Sequence, residues 1–193
     1  DKLSMISGNS PQYNTVIGIY NNKFYWDNGP GNSKVTTIRK EYVNPSCGDT
    51  INESTFLVDN LYCDYWEGLN IGADNITLNC DGHMMEGDYA ERDYGIGIPY
   101  KEGITIKNCD IQGFEKGILI TGGSNHLIKD NSLTHNNAAE NSCGICMSNS
   151  RYNIIDNNDI SNNGAWGIYL SGGQFNNIFD NHVRGSDVNG LSL

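Results

Sequence analysis

Apolar residues recur along the chain at intervals that repeat from one segment to the next. Glycines at positions 95, 117, 144, 167 and 190 each open a short segment in which apolar residues alternate with others. The first apolar column is Ile96, Ile118, Ile145, Ile168 and Leu191, and the second is Ile98, Ile120, Met147, Leu170 and Leu193. A period of two residues places both columns on one face of a β-strand. These segments are therefore predicted to be strands.

Two further apolar positions follow in each segment with constant spacing. One lies eleven residues after each of the first four glycines, and another lies five residues further on. They are Ile106, Ile128, Ile155 and Ile178, then Ile111, Leu133, Ile160 and Val183. A helix would need apolar residues at i, i+3, i+4 and i+7, and the many glycines and asparagines disfavour helices. Stacked strands bury all four positions, so the sequence predicts a parallel β-helix with coils of about 22 to 27 residues.

The repeat also aligns polar residues. Asn131, Asn158 and Asn181 occupy one column, and Cys109 holds the same place in the preceding coil. Side-chain amides in register hydrogen-bond from coil to coil. We therefore predict an internal asparagine ladder at a turn.

The first 46 residues have a different pattern. The runs TVIGIYNNKFYW and KVTTIRKEYV are rich in β-branched and aromatic residues, and DNGPGNS between them has the composition of a turn. We expect a β-hairpin or ribbon that caps the first coil, which would otherwise expose its core and strand edges. The predicted domains are therefore residues 1–46, a β-ribbon cap or strand-exchange segment, and residues 47–193, the β-helix.

Composition and charge argue against some classes of binding partner. The 193 residues carry a formal charge of -11 and are 37% hydrophobic, which argues against binding to nucleic acid or to an anionic membrane. No apolar run is long enough to insert into a membrane. The chain starts at Asp1, without an initiator methionine or a signal peptide, and we expect a processed product or an excised piece.

An even number of cysteines favours an oxidising compartment. The six are Cys47, Cys63, Cys80, Cys109, Cys143 and Cys146. In an acidic, asparagine-rich chain they indicate disulfides, and the alternative is a set of small buried hydrophobic side chains. Two sequons, at Asn52 and Asn75, are candidate glycosylation sites and favour the same extracellular or cell-surface location.

Two stretches carry a resemblance to a known superfamily. They read CGDTINESTFLVDNLYCDYWEGLNIGADNITLNCDGHMMEG and GITIKNCDIQGFEKGILITGGSNHLIKDNSL. They resemble the right-handed β-helix repeats (PbH1) of NosD-like surface and secreted proteins. The resemblance covers about residues 47–193 and implies an all-β, right-handed parallel β-helix, a solenoid. It implies little about function, because relatives include carbohydrate lyases, epimerases, a periplasmic copper-related protein and non-enzymatic surface proteins.

The resemblance also bears on the disulfides. In such relatives a cysteine pair brackets the first coil, which implies a bridge between Cys47 and Cys63. Cys80 and Cys109 lie near equivalent turns of neighbouring coils, a separation that suits a second bridge. Pairing of Cys143 with Cys146 requires a sharp bend of the chain and stays open.

Two long connections point to a candidate binding surface. MMEGDYAERDY, before the glycine at 95, and THNNAAENSC, before the glycine at 144, belong to the same connection of the coil and project from the same side. The candidate glycan-binding residues on this side are Tyr89, Arg92, Tyr94, Phe114 and Trp166. Aromatic rings stack on apolar sugar faces, and neighbouring polar groups bond to the hydroxyls. The alternative is a solvated set of loops whose rings pack on neighbouring coils.

Acidic residues of the first long loop bear on metal binding and catalysis. Asp88, Glu91 and Asp93 form a candidate calcium site in the first long loop, and no other cofactor is predicted. The equivalent turns of later coils, QGFEK, SNNGAW and RGSDVN, do not extend this group into an acid, a base and a clamp. The run His83-Met84-Met85 offers ligands that suit copper. Adjacent strand residues point to opposite faces, so we expect a structural turn with methionine in the core.

These features predict an extracellular structural or adhesive β-helix protein that binds polysaccharide on its looped side. The alternative is a polysaccharide lyase or epimerase that acts on acidic glycans. Residues 190–193 begin another strand without a capping segment, and the β-rich residues 15–43 offer a partner for it. We therefore expect head-to-tail self-association into a surface filament.

Overall fold

The computed structural model describes residues 15–20, 23–27, 33–37, 44–64, 67–89, 93–137 and 141–193. The chain divides into two compact units, Asp1–Glu41 and Tyr42–Leu193. The elements in the described residues are β-strands. The division lies between residues 41 and 42, whereas the sequence interpretation placed it between residues 46 and 47.

The described part of the first unit is a three-stranded antiparallel sheet. Its strands are β1 (Thr15–Tyr20), β2 (Lys23–Asp27) and β3 (Ser33–Thr37). They are hydrogen-bonded in the order β1-β2-β3, and the register shifts between Val16 and Gly18. The segment is β-rich as predicted, and its role as a cap or an exchanged strand stays a prediction.

The second unit consists of three parallel sheets. Sheet 1 contains β4 (Thr50–Ile51), β7 (Leu69–Ile71), β10 (Tyr94–Pro99), β13 (Lys116–Thr121), β16 (Cys143–Ser148), β19 (Trp166–Ser171) and β22 (Asn189–Ser192). Sheet 2 contains β5 (Thr55–Phe56), β8 (Thr77–Asn79), β11 (Thr105–Lys107), β14 (Leu127–Lys129), β17 (Ile154–Asp156) and β20 (Asn177–Phe179). Sheet 3 contains β6 (Leu61–Cys63), β9 (Met84–Gly87), β12 (Asp110–Gln112), β15 (Ser132–Thr134), β18 (Asp159–Ser161) and β21 (His182–Arg184).

The chain visits the three sheets in turn and pairs each strand with its equivalent one coil away. This arrangement is a β-solenoid of about six turns, which confirms the predicted parallel β-helix. The apolar columns meet in register: Ile96 pairs with Ile118, and Ile145 pairs with Ile168. All four side chains are fully buried, as the alternation predicts.

Each repeat glycine makes a local irregularity in sheet 1. Lys116 pairs with Cys143 and Ile118 with Ile145, so the glycine between them is skipped in the pairing. Gly144 faces the core, where an added Cβ would lie 2.5 Å from Ile160 Cγ2. Because the glycine and the next residue both face inward, residues three apart share the outer face. Cys143 and Cys146 are such a pair.

Asparagine side chains connect the coils inside the turns. The Oδ1 atom of Asn158 accepts hydrogen bonds from the backbone N–H of Asn131 at 3.0 Å and from its Nδ2 at 2.9 Å. Asn181 accepts from Asn158 in the same way, at 3.0 and 2.8 Å. The Oδ1 atom of Asn131 accepts from the N–H of Cys109 at 3.0 Å. The predicted asparagine ladder is therefore confirmed.

Two further columns repeat this arrangement. In one, Asn163 accepts from the backbone N–H and Nδ2 of Asn136. In the other, Asn176 accepts from both nitrogens of Asn153. Buried turn amides are thereby satisfied from coil to coil, which buried backbone groups require.

Three disulfides join the six cysteines. Cys47 is bonded to Cys63, Cys80 to Cys109 and Cys143 to Cys146, with Cα–Cα distances of 5.5, 4.7 and 5.9 Å. The first bridge brackets the opening coil, and the second joins neighbouring coils in the column that the asparagine ladder continues. The first two pairings are confirmed, and the third, which the sequence left open, is present.

The register of sheet 1 predicts unequal effects of two neighbouring substitutions. Ile120 is fully buried, whereas Leu119 is half-buried on the outer face. Ile120→Ala should lower the free energy of unfolding by about 2 to 5 kcal/mol, because it leaves a cavity between coils. Leu119→Ala should lower it by less than about 1 kcal/mol. Urea denaturation of both variants checks this, and equal losses would contradict the register.

Candidate functional site

The residues that the sequence places on the looped side differ in their exposure and hydrogen bonding. Tyr89 is 51% exposed, while Glu91 and Arg92 lie outside the described residues. Asp93 is buried, and its Oδ1 accepts a hydrogen bond from the backbone N–H of Glu115 at 2.6 Å. Burial is the main cause that raises the pKa of the Asp93 carboxyl. The calcium site at Asp88, Glu91 and Asp93 stays a prediction.

Tyr94 and Trp166 occupy equivalent positions of sheet 1, three coils apart. The hydroxyl of Tyr94 donates to Asn70 Oδ1 at 2.7 Å, and burial, followed by the charge of Glu67, raises the Tyr94 pKa. Trp166 lies on the outer face of β19, with its ring centroid 4.6 Å from that of Tyr169. Strands β10 and β19 are three strand spacings apart, which is about 14 Å. Tyr94 and Trp166 therefore do not contact one sugar ring together.

The prediction that Phe114 lies on the glycan-binding surface was wrong. The sequence placed it on the glycan-binding side, but its side chain is 0% exposed. Its ring occupies space beside two glycines, since a Cβ added to Gly87 or Gly95 would lie 2.8 or 3.2 Å from Phe114 ring atoms. Phe114 is a core residue and does not stack on a bound glycan. Glycan binding by Tyr89, Arg92, Tyr94 and Trp166 stays a prediction.

The most exposed stacked rings lie instead at the turn between sheets 1 and 2. Tyr152 and Phe175 occupy equivalent positions of successive coils, and their rings stack with centroids 5.1 Å apart and planes 8° apart. They are 51% and 67% exposed. Both residues adopt the left-handed backbone conformation, with φ of 56° and 57°.

Aromatic residues are unusual in the backbone conformation that Tyr152 and Phe175 adopt. The equivalent residue one coil earlier is Asn125, with φ of 59°. Asparagine and glycine tolerate left-handed φ, whereas an aromatic residue there is uncommon and strained. Strain of this kind is concentrated at functional sites. The rings at 152 and 175 occupy this turn at a conformational cost and largely in solvent.

Polar and charged groups lie along the same turn of successive coils. Residues 102, 124, 151 and 174 form a parallel ladder across successive turns. A groove of about 310 Å³ beside it is lined by Tyr100, Glu102, Gly123, Ser124, Asn149 and Arg151. Tyr100 is 76% exposed. We call Tyr100, Glu102, Arg151, Tyr152 and Phe175 the aromatic turn surface.

Sequence reasoning missed this surface, although a signal was present. Asn125, Tyr152 and Phe175 each lie eight residues after a repeat glycine. Alignment of the repeats therefore shows aromatic residues where a turn residue is expected. The replacement of asparagine by aromatic residues at this repeat position was the signal in the sequence for an exposed aromatic surface.

A second groove lies on the outer face of sheet 1. It has a volume of about 250 Å³ and is lined by Lys116, Leu119, Asn141, Cys146, Met147, Ser148, Trp166 and Tyr169. We call it the sheet 1 groove. Cys146 contributes to its wall, and the disulfide joins that wall to Cys143, which is fully buried.

His126 is a buried titratable group within the asparagine columns. Its backbone N–H donates to Asn153 Oδ1 at 2.9 Å, and its Nδ1 accepts from the N–H of Ile104 at 3.3 Å. Its Nε2 has no hydrogen-bond partner among the described residues. Burial lowers the pKa of His126 from 6.5 to about 4. The imidazole is therefore neutral in the folded protein at neutral pH.

The neutral His126 should make the fold sensitive to acid. Below pH 6.5 the unfolded chain binds a proton that the folded chain excludes until about pH 4, so the free energy of unfolding falls over this range. The full loss is about 3 kcal/mol. His126→Asn, which matches Asn153 in the next coil, should remove it.

Urea unfolding at pH 7 and pH 4.5 measures this effect. The difference between the two pH values should be smaller for His126→Asn than for the unmodified chain by about 2 to 3 kcal/mol. His135→Asn, at an exposed histidine, is the control and should leave the difference unchanged. An unaltered pH dependence in His126→Asn would contradict the assignment.

Other predicted features can be located. The sequon residues Asn52 and Asn75 are exposed, and their glycosylation stays a prediction. In the part of the chain that the structure describes, no helix has the length and apolar character needed to cross a membrane.

The fold agrees with the comparison to protein families. The family model described as periplasmic copper-binding protein (NosD) matches residues 65–193. No significant match to a curated protein or to a solved structure was found.

The described residues do not fit a copper site. Met85 is fully buried in the core, while His83 and Met84 are half-buried, as the alternation of β9 predicts. The six cysteines are oxidised in disulfides. Within the described ranges, no three His, Cys, Asp or Glu side chains are grouped so as to hold a metal ion. No copper chemistry follows from these residues.

Proposed function

We propose that this chain, which belongs to the NosD family, is a structural or adhesive protein outside the cytoplasm that binds glycan through its aromatic turn surface. The disulfides support an oxidising compartment, and the family description names the periplasm. A cell-surface or extracellular location is part of the proposal.

The observation that carries glycan binding is the exposed stack of Tyr152 and Phe175. Neither ring belongs to the buried core, and both occupy a backbone conformation that favours asparagine or glycine. Apolar sugar faces bind to aromatic rings, and carboxylate and guanidinium groups bond to hydroxyls. Arg151 precedes Tyr152 in the chain, and Glu102 lies on the same ladder two coils earlier.

A double substitution separates binding from folding. Tyr152→Asn with Phe175→Asn places at both turns the residue that Asn125 supplies one coil earlier. The variant should keep its fold, since asparagine accepts a left-handed φ. It should lose glycan affinity at least about tenfold, since two stacking rings are removed. Affinity electrophoresis against β-glucan, chitin oligosaccharides and polygalacturonate measures the loss.

The matched control is Tyr62→Asn, at an exposed tyrosine on β6, which should leave affinity unchanged. Absence of binding by the unmodified chain, or equal binding by the double variant, would contradict the proposal. Unsaturated products or altered epimer content in the uronic-acid polymer would instead support the lyase or epimerase alternative.

A second proposed function is head-to-tail self-association. Strands β20, β21 and β22 are the last members of their sheets. Apolar side chains of this coil are partly or largely exposed: Ile178 and Val183 are half-buried, and Leu191 is 46% exposed. Such a surface suits another β-structure, and a contact of this kind that does not close into a ring propagates as a filament.

Sedimentation velocity over a range of concentrations tests this association. The 193-residue chain should form larger species as its concentration rises, and Leu191→Glu should prevent this by burying a charge in the contact. Tyr62→Glu, at an exposed residue away from this coil, is the control. Removal of residues 1–46 should also abolish filaments. A stable monomer at high concentration would overturn the proposal.

A further inference from the structure

The third disulfide differs from the other two in what it connects. Cys143 and Cys146 lie on one strand, β16, three positions apart, whereas the cysteines of the other bridges are 16 and 29 positions apart. A short closed loop removes the least entropy from the unfolded chain. Strand β16 is already paired on both sides, with β13 and β19. The bridge therefore adds little to the fold.

The two sulfur atoms also differ in access. Cys146 lines the sheet 1 groove and retains 6% exposure, while Cys143 is fully buried. Thiol–disulfide exchange begins when a thiolate attacks one sulfur of a disulfide and expels the other. This geometry directs attack to the Cys146 sulfur and makes Cys143 the leaving group.

A lysine lies on the neighbouring strand, opposite Cys143. Lys116 pairs directly with Cys143 across the parallel strands β13 and β16, and neighbouring strands lie about 4.8 Å apart. The Lys116 ammonium is ion-paired with Glu115 and lines the same groove. When the bridge opens, the ammonium at the end of this side chain can pair with the Cys143 thiolate, and a lysine beside a cysteine stabilises its thiolate.

The groove supplies a surface for an extended peptide. Leu119 and Tyr169 pair with Cys146 from the two sides, and Trp166 stands next to Tyr169. Apolar and aromatic side chains beside a reactive disulfide can contact the residues that flank the cysteines of a partner protein.

We propose that Cys143–Cys146 is a redox-active disulfide that accepts two electrons from the dithiol of a protein partner. The partner's first thiolate bonds to Cys146 and releases Cys143 as a thiolate. The partner's second thiolate then attacks its own sulfur in the mixed disulfide and releases Cys146. The partner leaves oxidised to a disulfide, and Cys143 and Cys146 leave as the reduced pair after each takes up one proton. This exchange is independent of glycan binding.

Graded reduction of the native protein tests the selectivity. The probe is dithiothreitol, followed by acid quenching, alkylation and peptide mass spectrometry. Cys143 and Cys146 should be alkylated at reductant concentrations at least about tenfold below those that open Cys47–Cys63 or Cys80–Cys109. Simultaneous reduction of all three bridges, or late reduction of Cys143–Cys146, would overturn the proposal.

Substitution of Lys116 tests the leaving group. Lys116→Met should slow reduction of this bridge, and Lys116→Arg should restore the rate. Lys129→Met, at a lysine on sheet 2, is the control. Equal rates in all four proteins would contradict a role for this charge.

Single cysteine variants test the asymmetry. With a disulfide-bonded model peptide as the probe, Cys143→Ser should accumulate a mixed disulfide on Cys146, and Cys146→Ser should accumulate far less. The variant with both substitutions should unfold within a few degrees of the unmodified chain, which separates exchange from structural support. Equal trapping by the two single variants, or loss of the fold in the double variant, would refute the assignment.

Discussion

The stacking of like residues in register is the constraint on which the rest of the structure depends. Each coil is too small to bury its own apolar face, and its strands have no partners within the coil. Both needs are met only by the next coil, which supplies an isoleucine to cover an isoleucine and a strand to pair with a strand. The asparagine columns extend this rule to the turns, where regular pairing ends.

The same constraint decides where the chain is free to vary. Positions that face the axis hold apolar residues in coil after coil, and the inward-facing turn positions hold asparagine, whereas positions on the outer face and outward-facing turn positions vary. The left-handed turn position is fixed in its backbone but open in its side chain, so it holds asparagine in one coil and aromatic rings in the next two. Chemistry that differs between coils is therefore placed on a scaffold whose spacing does not change.

Sequence reasoning predicted the parts of the molecule that the repeat dictates. Spacing alone predicts the apolar columns, the ladder at Asn131 and the parallel sheets, because every coil repeats the same register. The candidate site was predicted less well. Phe114 turned inward because neighbouring glycines leave room for its ring. Trp166 reached the sheet face because the repeat glycine shifts the strand alternation. Both effects depend on volumes and backbone irregularities that spacing does not encode.

The distribution of covalent bonds along the axis gives the solenoid a mechanical gradient. The column that holds Cys80 and Cys109 is covalent between those two coils and is continued toward the C-terminus by amide hydrogen bonds alone. Under a pulling force on Leu193, β22 would detach first, and the later coils would peel away one at a time. At Cys109 the force would pass through the disulfide to Cys80, so the residues between these two cysteines would be shielded from it. The protein would therefore yield in small steps through its later coils, while the segment enclosed by Cys80 and Cys109 kept its length.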